Sequence, residues 1–222
     1  DANTPPVYTL NDHTGKELRM LQDNKTLKER MKEYNFSPKE IFTISISDDV
    51  ELNAWMIKPQ DFDPNKKYPV LMYVYGGPGS QEVNNSFFRS VDFAWYQMLA
   101  QKGYIIVCVD NRGTAGKGDA FKKVVYKQMG KYESEDQIAA ANYLKTLPYI
   151  DGNRIGIWGW SFGGYLSSLS IMKSENVFKM AMAVAPVTTW RYYDNIYTER
   201  FLQTPQENSS GYDENSPITY AA

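Results

Sequence analysis

Gly159-Trp160-Ser161-Phe162-Gly163 constrains this chain more than any other stretch, because of what flanks it. Arg154-Ile155-Gly156-Ile157-Trp158 before it reads as a short buried strand. Gly164 through Met172 after it reads as a helix, with Leu166, Leu169 and Ile171 set among small and polar residues. A Gly-x-Ser-x-Gly at a strand-to-helix turn is a nucleophile elbow. The serine takes a strained backbone conformation at the tip, and small flanking residues relieve the crowding there. Ser161 is therefore the candidate nucleophile.

The surrounding pattern supplies the sheet that such an elbow needs. Ile41–Ile46 and Glu51–Ile57 flank Asp48-Asp49 as a hairpin. Val70-Leu71-Met72-Tyr73-Val74-Tyr75 is nearly all apolar, as expected of a strand covered on both faces. A helix over Phe93–Lys102 ends at Gly103, and Tyr104–Val109 forms the next strand. Residues 132–146 follow as a helix with Ile138, Ala141 and Leu144 on one face, and Met180–Val184 comes last as a strand. This alternation predicts a mostly parallel, doubly wound α/β sheet with right-handed crossovers. With the elbow on it, the fold class is the α/β-hydrolase fold.

Residues 1–36 differ in character. Val7–Leu10 and Glu17–Leu21 read as a hairpin around Asn11–Gly15, and Asn24 reads as the cap of a charged helix through Met31. A lone hairpin buries too little surface to be stable. The expected division is therefore residues 1–36 as the tail of a preceding domain and linker, and 37–222 as the catalytic domain.

Composition narrows the function classes. A formal net charge of −2, with 23% charged residues, gives no electrostatic case for binding nucleic acid. No run reaches the length of a membrane span. Cys108, the single cysteine, excludes an internal disulfide framework and lies inside a predicted strand. No cofactor is indicated, because neither a histidine or cysteine cluster nor a phosphate-binding Gly-rich loop is present. Asn24-Lys25-Thr26 and Asn208-Ser209-Ser210 fit glycosylation sequons.

Ligands on such a sheet gather at the carboxyl ends of the strands, and three segments lie there. Ser161 follows one strand, Tyr75-Gly76-Gly77-Pro78-Gly79 another, and residues 186–197 a third. Attack on a carbonyl needs donors for the developing oxyanion. The Phe162 N–H at the helix start is one. For the second, Gly76-Gly77 permits close backbone approach, Pro78 has no N–H to give, and the Tyr75 hydroxyl is an alternative. An aromatic strand end is the equal reading of Tyr75. Val187, Trp190, Tyr193 and Tyr197 could close a compact apolar pocket, with Tyr193 and Tyr197 facing the same way if both lie on a helix. Core packing is the plainer reading of the same rings.

Taken together, Val74–Pro78, Gly159–Tyr165, Ala185–Trp190 running into Tyr192–Arg200, and Tyr132–Ile138 closely resemble the dipeptidyl peptidase branch of the prolyl oligopeptidase family of serine peptidases. The similarity runs from about Val7 to Tyr220. It implies Ser161 as nucleophile, with the Tyr75 hydroxyl and the Phe162 N–H as oxyanion donors. Val187, Trp190, Tyr193 and Tyr197 would accept proline, or alanine, at the second position of a peptide substrate. Phe162 stands where the family often has tyrosine. The resemblance also implies that residues 1–36 are the last strands of a β-propeller, that the full-length protein is a homodimer, and that it works outside the cytoplasm, in a bacterial envelope or at a cell surface.

One departure bears on activity. A serine hydroxyl needs a base, normally a histidine held by a carboxylate. After Ser161 come Asp194 and Asp213 but no histidine, and the single histidine, His13, sits in the first hairpin's turn. The family places both partners in its final roughly hundred residues, so the expectation is a C-terminally truncated domain without useful peptidase turnover of its own. The other readings are a non-catalytic interaction module on the same fold, and an acyl-peptide hydrolase or carboxylesterase.

Overall fold

Val70–Tyr73 and Ile105–Val109 carry apolar side chains at almost every position, and in the computed structural model they are the two central strands of the main sheet. The structure describes residues 1–87 and 91–221. In chain order the strands are β1 (Tyr8–Asn11), β2 (Glu17–Gln22), β3 (Lys39–Ser47), β4 (Val50–Ile57), β5 (Tyr68–Tyr73), β6 (Ile105–Asp110), β7 (Ile150–Trp160) and β8 (Met180–Val184). The helices are α1 (Lys25–Met31), α2 (Phe93–Gln101), α3 (Asp119–Lys123), α4 (Lys131–Thr146), α5 (Phe162–Lys173), α6 (Asn195–Leu202) and α7 (Ser209–Asp213). Short 3-10 turns cover Lys32–Tyr34, Trp190–Tyr192 and Pro217–Tyr220.

The main sheet has the order β3-β4-β6-β5-β7-β8. β3, β4 and β6 pair antiparallel, while β6, β5, β7 and β8 run parallel. Side-chain alternation divides the core in two. Val70, Met72, Val107 and Ile157 face α4 and α5, with Ala140, Ala141, Leu144, Leu166 and Leu169. Leu71, Ile106, Cys108 and Trp158 face α2, with Phe93, Tyr96 and Ala100. Each such aliphatic side chain, once buried, contributes about 1.5–3 kcal/mol, so helices are held on both faces and the doubly wound expectation stands. The chain places β6 on one side of β5 and β7 on the other. A crevice forms outside the carboxyl ends of strands at such a reversal, and the loops after β5 and β7 meet there.

The expected face of α4 packs on the core: Ala141 and Leu144 are buried and Ile138, half-buried, lies against it. The buried face also extends further, over Glu133, Ser134, Asp136, Gln137 and Ala140. Its first half is polar because it meets backbone that needs partners, in the neighbouring loops and at the end of β6.

The first hairpin forms its own two-stranded sheet, with β2 exposed along its whole length and Leu18 61% exposed. Ala2 and Asn3 attach elsewhere. The Ala2 N–H donates to Asn85 Oδ1, and Asn3 exchanges hydrogen bonds with the backbone of Lys39. Asn24 does not cap α1 through its side chain. Its backbone is left-handed (φ 51°), its amide donates to Pro6 O, and Asp23 Oδ1 accepts the Lys25 N–H instead. His13 is exposed in the turn, and Cys108 is fully buried, its thiol pushed up by burial.

Candidate active site

Ser161 sits between β7 and α5 at φ 57°, ψ −114°, a conformation that disfavours a side chain and that marks sites where the surroundings impose geometry. Two neighbours explain why the chain can turn here. A Cβ on Gly159 would lie 2.2 Å from Val74 O, and one on Gly163 would lie 2.0 Å from the same oxygen. Only glycine lets β5, β7 and α5 approach so closely. The turn is also tied to the sheet edge, since the Ser161 N–H donates to Val184 O at 2.9 Å. Ser161 is half-exposed, whereas Phe162 is buried at the first position of α5. The N–H groups of a helix's first turn have no intrahelical partner, and they carry the positive end of the helix dipole.

Tyr75 lies two residues past the end of β5, in a loop held from behind by a buried polar relay. Gln137 Nε2 on α4 donates to Val109 O at 2.9 Å and to Asn111 Oδ1 at 3.0 Å. Asn111 Nδ2 in turn donates to Gly76 O at 3.0 Å. Beside it, Arg112 makes a forked pair with the buried Asp136 carboxylate, at 2.6 Å for Nη2, and its own N–H donates to Asp136 Oδ2 at 2.7 Å. Asp110 accepts the N–H groups of Glu82 and Val83, and burial pushes its carboxyl up to about 6. Burial and the nearby Tyr193 raise the Tyr75 phenol above its ordinary value, which keeps it a neutral hydrogen-bond donor.

A small pocket is lined by Tyr75, Ser161, Phe162, Val187, Trp190, Tyr193 and Tyr197. All seven residues singled out from the sequence line this one cavity. Trp190 is buried, and its ring lies 5.8 Å from Phe162, 5.8 Å edge-on from Tyr193 and 6.1 Å from Tyr197 in a stacked pair. Tyr193 and Tyr197 do not share a helix. Tyr193 is extended (φ −88°, ψ 167°) and precedes α6, because Asp194 starts the helix by accepting the Tyr197 N–H at 2.9 Å. The rings still meet edge-on at 5.6 Å. Burial raises the Tyr197 hydroxyl well above its ordinary range.

Both aspartates that follow Ser161 are engaged. Asp194 caps α6, and Asp213 takes the Arg191 guanidinium at 2.6 and 2.7 Å, which holds its carboxyl below the ordinary range. Asn208 is also occupied, its amide donating to Lys127 O and Leu202 O. Among the described residues no group of histidine, cysteine or carboxylate side chains could hold a metal ion, and no helix is long and apolar enough to cross a membrane. Sequence reasoning missed the relay from α4. The spacing of Glu133, Asp136 and Gln137, which continues the stripe of Ala140, Ala141 and Leu144, marks the buried face but not the partners.

Comparison with known proteins agrees with this geometry. The solved structure of Porphyromonas gingivalis dipeptidyl peptidase 4 superposes with a TM-score of 0.93 at 49% identity, covering 98% of this chain and 31% of that one. Prolyl endopeptidase FAP of Bos taurus is 45% identical over 207 residues, 92% of this chain and 27% of the relative. A protein of Paracoccidioides lutzii named "Probable dipeptidyl-aminopeptidase B" is 47% identical over 194 residues, 87% of this chain and 21% of the relative. The chain thus spans about a quarter of the length of the curated relatives it matches. Residues 89–222 match the prolyl oligopeptidase family. The chain belongs to that family, and resembles its dipeptidyl peptidase IV-like members.

Proposed function

We propose that this chain carries the nucleophile, the oxyanion donors and the specificity pocket of a serine-type dipeptidyl peptidase, which releases N-terminal dipeptides with proline or alanine second. The observation that carries the reading is the convergence of a strained Ser161, Tyr75 and four pocket residues on one cavity. Ser161 Oγ bonds to the carbonyl carbon of the second residue as its proton passes to a base. The negative charge that builds on the carbonyl oxygen is taken by the Phe162 N–H and the Tyr75 hydroxyl. Donors fixed in place beforehand stabilise such charge without reorganising. The C–N bond then breaks, the base returns the proton to the leaving amine, and water releases the dipeptide from the acyl-serine.

A five-membered ring suits the pocket because Val187 and the rings of Phe162, Trp190, Tyr193 and Tyr197 give a compact apolar group largely apolar walls. Proline also needs no backbone donor-acceptor partner at its nitrogen. On this reading the base and its carboxylate lie outside these 222 residues, since no histidine follows Ser161 and Asp194 and Asp213 are committed elsewhere. The exposed apolar side chains of β1 and β2 support assigning that hairpin to a preceding β-propeller.

The test is hydrolysis of Gly-Pro p-nitroanilide. The full-length protein should turn it over and the Ser161→Ala variant should not, while the 222-residue chain alone should show no useful rate. Robust turnover by the chain alone that Ser161→Ala abolishes contradicts the external base. An inactive full-length protein contradicts the peptidase reading itself.

A further inference from the structure

Tyr165 lines no part of the cavity, yet two of the cavity's walls rest on it. It lies one turn into α5, fully buried, with its ring edge-on to Phe162 at 5.1 Å and edge-on to Trp190 at 4.9 Å. Edge-on pairs at these separations are attractive. The hydroxyl at the far end is anchored to two other parts of the chain. It donates to Asn215 O at 2.7 Å, with Met129 O at 3.2 Å. The anchor leaves no slack, since a Cβ on Gly130 would lie 1.7 Å from the Tyr165 oxygen. Directly beneath, Glu133 accepts the Gly130 N–H at 2.8 Å and fixes the turn that holds Met129. On the other side, Ser216 Oγ accepts the Trp190 N–H at 3.2 Å, so the segment that receives the Tyr165 hydroxyl also holds the backbone of the pocket wall.

We infer that Tyr165 is a specificity-determining positioning residue: clamped between the start of α4 and Asn215, its ring sets how Phe162 and Trp190, themselves in ring contact, meet, and so the shape of the pocket they line. The inference rests on the peptidase reading for its functional consequence, though not for its geometry. A proline ring filling the pocket would lie against both rings and depend on how they meet, whereas an alanine methyl would reach less of them. Disturbing Tyr165 should therefore weaken proline substrates more than alanine ones, mainly through KM.

The experiment compares kcat/KM for Gly-Pro and Gly-Ala p-nitroanilides in the full-length protein carrying Tyr165→Leu or Tyr165→Phe, alongside crystal structures of the variants. Tyr165→Leu removes both the ring edges and the anchor, and should lower the proline-to-alanine ratio by about tenfold or more. Tyr165→Phe keeps the edges but leaves Asn215 O without its donor, and should lower the ratio by about two- to fivefold. A merely structural role would reduce both substrates equally, and an unchanged ratio overturns the inference. If Tyr165→Leu fails to fold, the Tyr165→Phe ratio decides alone. If the wild type cleaves neither substrate, the peptidase reading falls. The Phe162–Trp190 centroid separation, 5.8 Å here, then decides the geometric part, and an unchanged value in the variants overturns it.

Discussion

The Asp194 carboxylate accepts the Tyr197 N–H at 2.9 Å, so the residue that starts α6 also sets where a pocket ring leaves the backbone. An N-cap of this kind is worth about 1 kcal/mol. In a chain of this size that is about 2–4 °C in Tm. Asp194→Ala should lower Tm by that amount, and Asp194→Asn, which keeps an accepting oxygen, should restore most of it. Equal losses for the two variants in thermal denaturation would remove the capping role.

Ser161 is held at φ 57°, and the strain should be measurable. Residues in sparsely populated backbone regions cost about 1–3 kcal/mol, and glycine gives back about 0.5–1 kcal/mol of that in chain entropy. Ser161→Gly should raise Tm by about 2–4 °C, while abolishing labelling of the full-length protein by a fluorophosphonate. A lower Tm means the serine is not strained.

Gly163 has no room for a methyl group, whereas Gly152 does. The added Cβ would fall 2.0 Å from backbone at Gly163, but meets only the Lys145 side chain, at 3.2 Å, at Gly152. Gly163→Ala should destabilise by about 3 kcal/mol or more, and Gly152→Ala by less than about 0.5 kcal/mol. Urea denaturation of both variants distinguishes a crowded elbow from a general intolerance of substitution.

Glu133 is fully buried, and burial, reinforced by the neighbouring Asp136, pushes its carboxyl up to about 8 from an ordinary value of 4.5, against the opposing hydrogen bond from Gly130. The folded chain thus holds this proton more tightly than the unfolded one. The stability it contributes is complete below about pH 4.5 and is lost as pH rises through about 8. Glu133→Gln keeps an acceptor for the Gly130 N–H and cannot ionise. It should raise Tm at pH 8 by about 2–8 °C and have little effect at pH 5. Parallel Tm profiles for variant and wild type would show that Glu133 does not titrate in the fold.

The elbow was legible in the sequence because glycines at fixed spacing mark it locally, whereas Tyr75 and the residues after β8 were marked only as segments at strand ends, where a strand end and core packing read equally well. Less was legible where the deciding partner is distant. Tyr165 reaches Asn215, and Gln137 reaches Asn111 and Val109, across spans no local pattern encodes. Hydrophobic periodicity found only the apolar part of the buried face of α4, since it gives no reason to bury Glu133, Asp136 and Gln137, which the backbone they bind makes buried. Four-residue spacing left open whether Tyr193 and Tyr197 share a helix, and the Asp194 cap, which starts α6 after Tyr193, decides that they do not.

The relay from Gln137 through Asn111 to Gly76 means that stiffness at the reacting centre is imported from a helix packed behind the sheet. A protein engineer who greases α4 with leucines to harden the fold would be cutting guy-ropes. The result would be a sturdier molecule with a blunter tool.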